Sequence, residues 1–341
     1  MSGSEAASRG AHGEFSAVRD QAFRSRILAA AVGLTLSVLG ASLLATMAAG
    51  FWLGDLAVHF PVQYAGLALL SFIIFAASRR PGWAALALLL AALNAMTAAP
   101  VLAARPPAPA PAAARTPGDP VHVRVASINV LYTNGQFQRV ADFIHHERPD
   151  AVVLVEMNAK WRAALAGLKK EFPYRYETLG TRHRGVNLWS RLPMKDVDVL
   201  PIEARQEPAV EATLTTKQGR LLRLFGVHAS WPATPASGGR RNRQLELLAQ
   251  QSRAVTSMPL LVVGDLNVSP FSPHFRQLLA NGGLRSAADG FGWQPTWPSF
   301  VPPAGIQIDH ALVNGAITVQ AFRRGPFDGS DHRPVIIDLV L

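Results

Sequence analysis

A chain of 341 residues with 33 Lys/Arg, 23 Asp/Glu and no cysteine carries a net charge of +10 and excludes disulfides and thiolate-held metals. Hydrophobic residues reach 49% and charged ones only 16%, a balance that leans towards a membrane. The first 120 residues hold eight Lys/Arg and five Asp/Glu, leaving 25 and 18 for residues 121–341, so the second part suits anionic partners such as phosphates, nucleic acid or acidic lipid.

Three uncharged apolar stretches come first, at 27–49, 61–78 and 83–104. Each is close to the ~20 residues that cross a bilayer, and three in succession argue against a cleaved signal peptide. Asn94, inside the third, is expected to make an interhelical hydrogen bond. Arg19, Arg24 and Arg26 precede the first stretch, Arg79 and Arg80 join the second to the third, and the loop "GFWLGDLAVHFPVQ" between the first two has no Lys or Arg. The positive-inside rule then makes the N-terminus and the Arg79–Arg80 turn cytoplasmic, with everything after Ala104 outside. The expected organisation is a cytoplasmic segment 1–26, a three-helix multi-pass anchor 27–104 in the inner or plasma membrane, a Pro/Ala-rich tether 105–120, and a periplasmic or extracellular domain 121–341.

Within that domain "VHVRVASINV" alternates like a half-buried strand, and "AVVLVE" is a short buried run. Between them Phe137, Val140, Ala141 and Ile144 fall on one helical face. Further strands are expected at 185–190, 209–215, 221–228, 260–265, 308–313 and 334–340, and helices at 239–255 and 272–281. Many strands with a few helices between them make an α/β sandwich of two packed sheets the most economical architecture.

Polar residues recur where these strands end. Asn129 follows "VRVASI", Glu156 ends "AVVLV", His228 ends "LLRLFGV", Asp265 and Asn267 follow "PLLVV", Asp309 follows "GIQI", and Asp331 and His332 precede "RPVIIDLVL". Singly, each has an ordinary structural explanation as a turn, cap or satisfied core residue. Their order is more specific. "SINV", "LVEMN", "RGVNLWSRLPM", "GVHASWP", "VVGDLNVSP", "IDHALV" and "SDHRPV" together resemble the endonuclease/exonuclease/phosphatase superfamily across the whole of 121–341.

The resemblance implies a four-layer α/β sandwich, two mostly antiparallel sheets flanked by helices, with these residues at one rim. It makes Glu156, Asn129 and Asp331 the metal residues, and His228, Asp265, Asn267, Asp309 and His332 the catalytic ones, Asp309 orienting His332. Converging carboxylates repel, and a divalent cation removes that cost. Oxygen donors without thiolate favour Mg²⁺ or Mn²⁺. Arg240 and Arg241 open a helix after His228, where a solvated helix start and a phosphate contact are equally open.

The expected activity is hydrolysis of a phosphodiester in nucleic acid or in a phospholipid or sphingomyelin head group, with no obligate protein partner. Leu131 stands where abasic-site endonucleases carry an acid, which speaks against that specialisation. The segment "GFGWQPTWPSFVPP" offers Trp293, Trp297 and Phe300 either as lipid-facing rim or as ordinary cover. A non-catalytic binding protein on the same fold is the opposing class.

Overall fold

The computed structural model describes residues 3–105, 120–178, 185–200, 202 and 209–341. Most of the tether expected at 105–120 lies outside the described residues.

Four helices come first: α1 Gly3–Ala45, α2 Trp52–Ala57, α3 Pro61–Ala77 and α4 Pro81–Leu102. Two of them, in the segments Gln21–Ala45 and Pro81–Leu102, are long and apolar enough to cross a membrane. This corrects the count of three by length. The 17 residues of α3 span about 25 Å at 1.5 Å per residue, short of a ~30 Å hydrocarbon core. Pro61 starts it and Ser78 ends it before the arginines, so neither end can extend the apolar run. Small residues let the helices approach: Ala31, Ala84 and Ala87 close around Phe75, and Ala68 and Ala91 around Val38 and Leu90. The Asn94 amide donates to Ser42 Oγ at 2.9 Å, the interhelical bond expected of it. Outward, large apolar side chains stay bare, among them Leu43, Leu89, Leu93 and Met96.

The domain is built on β1 His122–Asn129, α5 Phe137–Glu147, β2 Ala151–Val155, α6 Ala159–Ala164, β3 Tyr174–Tyr176, β4 Val186–Ser190, β5 Met194–Leu200, β6 Ala209–Thr215, β7 Leu221–His228, α7 Pro235–Ala254, β8 Leu260–Asp265, α8 Pro273–Gly282, β9 Arg285–Ser286, β10 Asp309–Val313, β11 Thr318–Arg324 and β12 Val335–Val340. One sheet runs β11-β12-β1-β2-β4-β3 and the other β5-β6-β7-β8-β10-β9. Each is antiparallel except for one parallel pair, β1/β2 and β7/β8, whose crossovers carry α5 and α7.

Alternating side chains explain the layering. Val123, Val125, Val153, Val155, Leu188, Leu224, Val263 and Ile337 meet between the sheets. The opposite faces of the strands pack outwards: Ala126, Ile128, Val152 and Leu154 on Phe143, Ile144 and Trp161, and Phe225, Val227, Leu260 and Val262 on Leu245, Leu248 and Phe275. Four layers result, as expected. Helix α7 begins earlier than its apolar spacing suggests, because Pro235 and a reciprocal cap between Thr234 and Ser237 start it four residues ahead of Gly239.

Candidate active site

Register brings the polar strand ends together. In the second sheet His228 pairs with Asp265 and Asp265 with Asp309, so three site residues form one row across β7, β8 and β10. In the first sheet Asn129 ends β1 level with Val155, and Glu156 is the next residue. The loop before β12, antiparallel to β1, carries His332 to the same rim. Both sheets therefore end on one cluster.

The backbone there is forced. Leu131, Glu156 and Asn267 adopt positive φ of 53°, 62° and 49°, half of the non-glycine residues that do so among those described. Such conformations cost of order 1–3 kcal/mol each and persist where surrounding structure over-determines them. Gly264, at φ 145°, could not be any other residue, since a Cβ would collide with the Val227 carbonyl.

Asn129 is the bridge between the sheets. Its amide donates to Glu156 Oε1 at 3.1 Å and to Asp265 Oδ2 at 3.2 Å, while its Oδ1 accepts from the Leu131 N–H. The Tyr132 N–H reaches Glu156 Oε2 at 3.4 Å, and the Asn267 N–H holds Asp265 Oδ1 at 2.9 Å. Asn267 spends its amide on the Ala229 carbonyl. His332 Nδ1 lies 2.8 Å from Asp309 Oδ2, which leaves Nε2 facing Asp265 Oδ2 at 3.7 Å. His228 Nε2 faces that same oxygen at 3.8 Å and Glu156 Oε1 at 4.0 Å. Its Nδ1 is buried without a protein partner.

Charges in this cluster are strongly coupled. Burial raises Asp265 to about 6, against the pull of His332 and His228 and with the push of Asp309. Burial pulls His332 down, but Asp309 and Asp265 outweigh it and raise it to about 10. At neutral pH His332 is thus an imidazolium held between two carboxylates.

Ligand-capable atoms of Asp265, Asp309 and His332 all lie within 4.8 Å of one another, and with His332 protonated only the two carboxylates of that group can offer a metal ion an electron pair. Asn129 borders that group through Asp265, and Glu156 borders it through Asn129. Asp331, expected with them, instead accepts from Trp297 Nε1 at 3.2 Å. Asp331 is still near enough to His332 to help raise its imidazole. A hard divalent cation fits the oxygen-rich donors and the mutual repulsion of Asp265 and Asp309.

The arginines part company. Arg240 Nε reaches Ser230 Oγ at 3.3 Å beside the site. Arg241 is fully buried, pairs with Asp55, and gives Nη1 to the Asn267 carbonyl at 2.5 Å. Its guanidinium is committed to protein, which corrects the phosphate contact entertained for it.

Several contributors escaped the sequence. Ser330 Oγ donates to the Asn129 carbonyl and accepts from the His332 N–H, tying β1 to the histidine loop. Thr296 Oγ1 accepts from the Asp309 N–H. Asp328, raised by burial to about 6, receives the Ser330 N–H. Ser330 stood inside a quoted motif, and Asp55 is the lone charge in the loop between the first two apolar stretches. Those were the available signals.

A sequence model of the Endonuclease/Exonuclease/phosphatase family matches residues 126–332. Among solved structures, D. rerio TDP2 complexed with single-strand DNA product superposes with a TM-score of 0.53 at 16% identity, over 64% of this chain and 98% of that one. An endonuclease/exonuclease/phosphatase from Beutenbergia cavernae gives 0.52 at 20%, over 64% and 72%, and one from Bacteroides vulgatus 0.54 at 18%, over 64% and 98%. At these identities the likeness is one of fold. No curated protein matches the chain.

Proposed function

The chain belongs to the endonuclease/exonuclease/phosphatase family and is a metal-dependent phosphoester hydrolase, and we propose that it cleaves a phosphodiester while anchored in a membrane. The observation that carries the chemistry is Asp265 Oδ2 faced by both imidazoles, at 3.7 and 3.8 Å, with Asp309 behind His332.

Asp265 Oδ2, buried and faced by both imidazoles, is placed to accept a water proton. It takes that proton as the water oxygen bonds to phosphorus. His332, protonated and oriented by Asp309, presents Nε2–H to the phosphoryl group and donates as the ester oxygen leaves. Asn267 fixes Asp265 through its backbone N–H. Mg²⁺ or Mn²⁺ would be held by Glu156 and Asn129, with Asp265 and Asp309 facing it, and would when bound neutralise charge and polarise the phosphoryl oxygen.

Nucleic acid and phospholipid head groups remain the two substrate classes, the first favoured by the DNA complex of D. rerio TDP2. Bare leucines on α1 and α4 favour lipid contact over water. The loop between α1 and α3 touches the catalytic domain, and two segments in contact lie on one side of a membrane. An even number of crossings therefore separates them. Zero or two crossings by α3 and α4 meet that condition, and the arginines on the turn between them favour two, with the short α3 met by local thinning of the bilayer. Arg19, Arg24, Arg26, Arg79 and Arg80 then face the cytoplasm, and residues 121–341 form a catalytic domain outside it, as a multi-pass protein of the inner or plasma membrane.

The test is turnover of single-stranded DNA, RNA, phospholipid and a simple soluble diester by the full chain, with Mg²⁺ and with chelator. Hydrolysis that chelator abolishes is expected. Hydrolysis unaffected by chelator would remove the metal, and turnover of none would remove the enzyme reading.

A further inference from the structure

Four side chains from the first loop and the start of α3 reach the catalytic domain. Trp52 Nε1 donates to the Pro232 carbonyl at 2.9 Å, and Asp55 pairs with buried Arg241. His59 Nδ1 lies 2.8 Å from Ser269 Oγ, and Gln63 Nε2 donates to the Gly305 carbonyl at 2.8 Å. None of the four lies within the residues matched to the family.

The receiving positions are close to the chemistry. Pro232 follows His228 by four residues, Ser269 follows Asn267 by two, and Gly305 precedes Asp309 by four. On the other side of each contact stands the end of an apolar helix. Trp52 and Asp55 follow α1, whose last residue is Ala45, while His59 and Gln63 flank Pro61 at the start of α3. The rim of the site and one end of the helix bundle are thus the same surface.

Beside these contacts two loops expose large apolar side chains. Trp231, adjacent to Pro232, is 67% exposed; Phe300 is 68% and Val301 41%. The other aromatics of the Phe300 loop are engaged: Trp293 packs on Phe271 and Trp297 donates to Asp331. Exposed aromatic tips beside polar backbone, next to the segment that joins α1 to α3, have the composition of an interfacial belt.

We propose that the loops bearing Trp231 and Phe300–Val301 rest in the head-group layer of the bilayer that holds the anchor, and that the site draws its phosphoester from that layer. The substrate class is a lipid-borne phosphate ester, a phospholipid head group or another lipid-linked phosphate. This rests on the phosphodiesterase reading above. A head group reaches such a rim by lateral diffusion. A nucleic-acid chain would have to enter between that rim and the bilayer surface.

The chain has no cysteine, so Trp231→Cys, Phe300→Cys and Lys217→Cys each give one attachment point. Lys217, exposed in the β6–β7 turn, marks the end of the sheet opposite His228. Full-length protein in 3:1 phosphatidylcholine/phosphatidylglycerol nanodiscs is labelled with a polarity-sensitive dye and challenged with an aqueous quencher. Protection and a blue shift at 231 and 300, but not at 217, are expected; equal accessibility at all three overturns the interfacial seat.

In parallel, unlabelled protein in the same nanodiscs meets the phosphatidylglycerol, a single-stranded oligonucleotide and bis-p-nitrophenyl phosphate. Release of the lipid head group in preference to cleavage of the oligonucleotide is expected. Trp231→Ser with Phe300→Ser should lower the ratio of lipid to soluble-diester turnover at least tenfold. Preferential cleavage of the oligonucleotide, or an unchanged ratio, overturns the lipid assignment. Soluble-diester turnover without lipid release also sinks it while leaving the phosphodiesterase reading standing. Turnover of none of the three sinks both.

Discussion

At the scale of single residues, the dyad of Asp309 and His332 is the sharpest object. Asp309 is buried, touches Nδ1 at 2.8 Å and helps hold the ring protonated. Two groups acting as one unit lose activity together, so His332→Ala and Asp309→Ala should each cost ~10²–10⁴-fold in kcat, and the double variant little more. Multiplied losses in the double variant would separate the two. His332 also sets a pH signature in stability. Its folded value of about 10 stands above the ordinary 6.5, so its stabilisation is complete below 6.5 and disappears as pH rises through 10. Melting temperature measured with chelator should fall across that window, and His332→Gln should flatten the fall. Glu156→Gln keeps the shape and removes a charge beside Asp265. Mn²⁺ affinity by calorimetry should drop by at least the ~10–100-fold that outer-shell partners cost, with the melting temperature of the chelated protein little changed. Unaltered affinity would exclude Glu156 from the metal site.

At the scale of elements, what the sequence disclosed and what it hid follow from pairing. The eight strands legible from apolar pattern all lie inside their sheets. The four it did not disclose, β3, β5, β9 and β11, are the four sheet edges. Edge strands bury less and carry charge: β5 reads "MKDVDVL" and β11 ends in Arg323 and Arg324. The same logic covers the site. Residues that punctuate buried strands, such as Asn129, Asp265 and Asp309, announce themselves by contrast with their neighbours. Loop residues that act through one bond do not, which is why Ser330 and Thr296 stayed silent. Helix α2 was hidden for another reason: six residues form no period, and its stability is tertiary. Asp55 of α2 pairs with Arg241, which is 0% exposed, and Arg241 holds the Asn267 carbonyl. Removing one partner of a buried pair strands the other, so Asp55→Ala should destabilise the full chain by ~3–5 kcal/mol, read as a lowered melting temperature. Asp55→Leu with Arg241→Met should recover most of that. A double variant as unstable as the single would mean that α2 docks by packing rather than by charge.

At the scale of the whole molecule, the contacts of α2 turn local chemistry into topology. Trp52, Asp55 and His59 bond to catalytic loops, so under the proposed anchoring the segment between α1 and α3 would share a compartment with the domain. Length alone selects α1 and α4 as spans and would put an odd number of crossings between them. That arrangement would tear the buried Asp55–Arg241 pair apart across a bilayer, at a cost no loop could offset. Crossing by α3 and α4 together keeps it. The charge distribution independently agrees, since Arg79 and Arg80 cap the turn between those helices while the α1–α3 loop carries neither lysine nor arginine. Alkaline phosphatase joined after Leu341, and separately after Arg80, distinguishes the alternatives. Activity is expected from the first fusion and not from the second, with a fluorescent reporter giving the reverse pattern. Activity at both positions would mean that α4 does not cross, and silence at both would mean that the catalytic domain faces the cytoplasm.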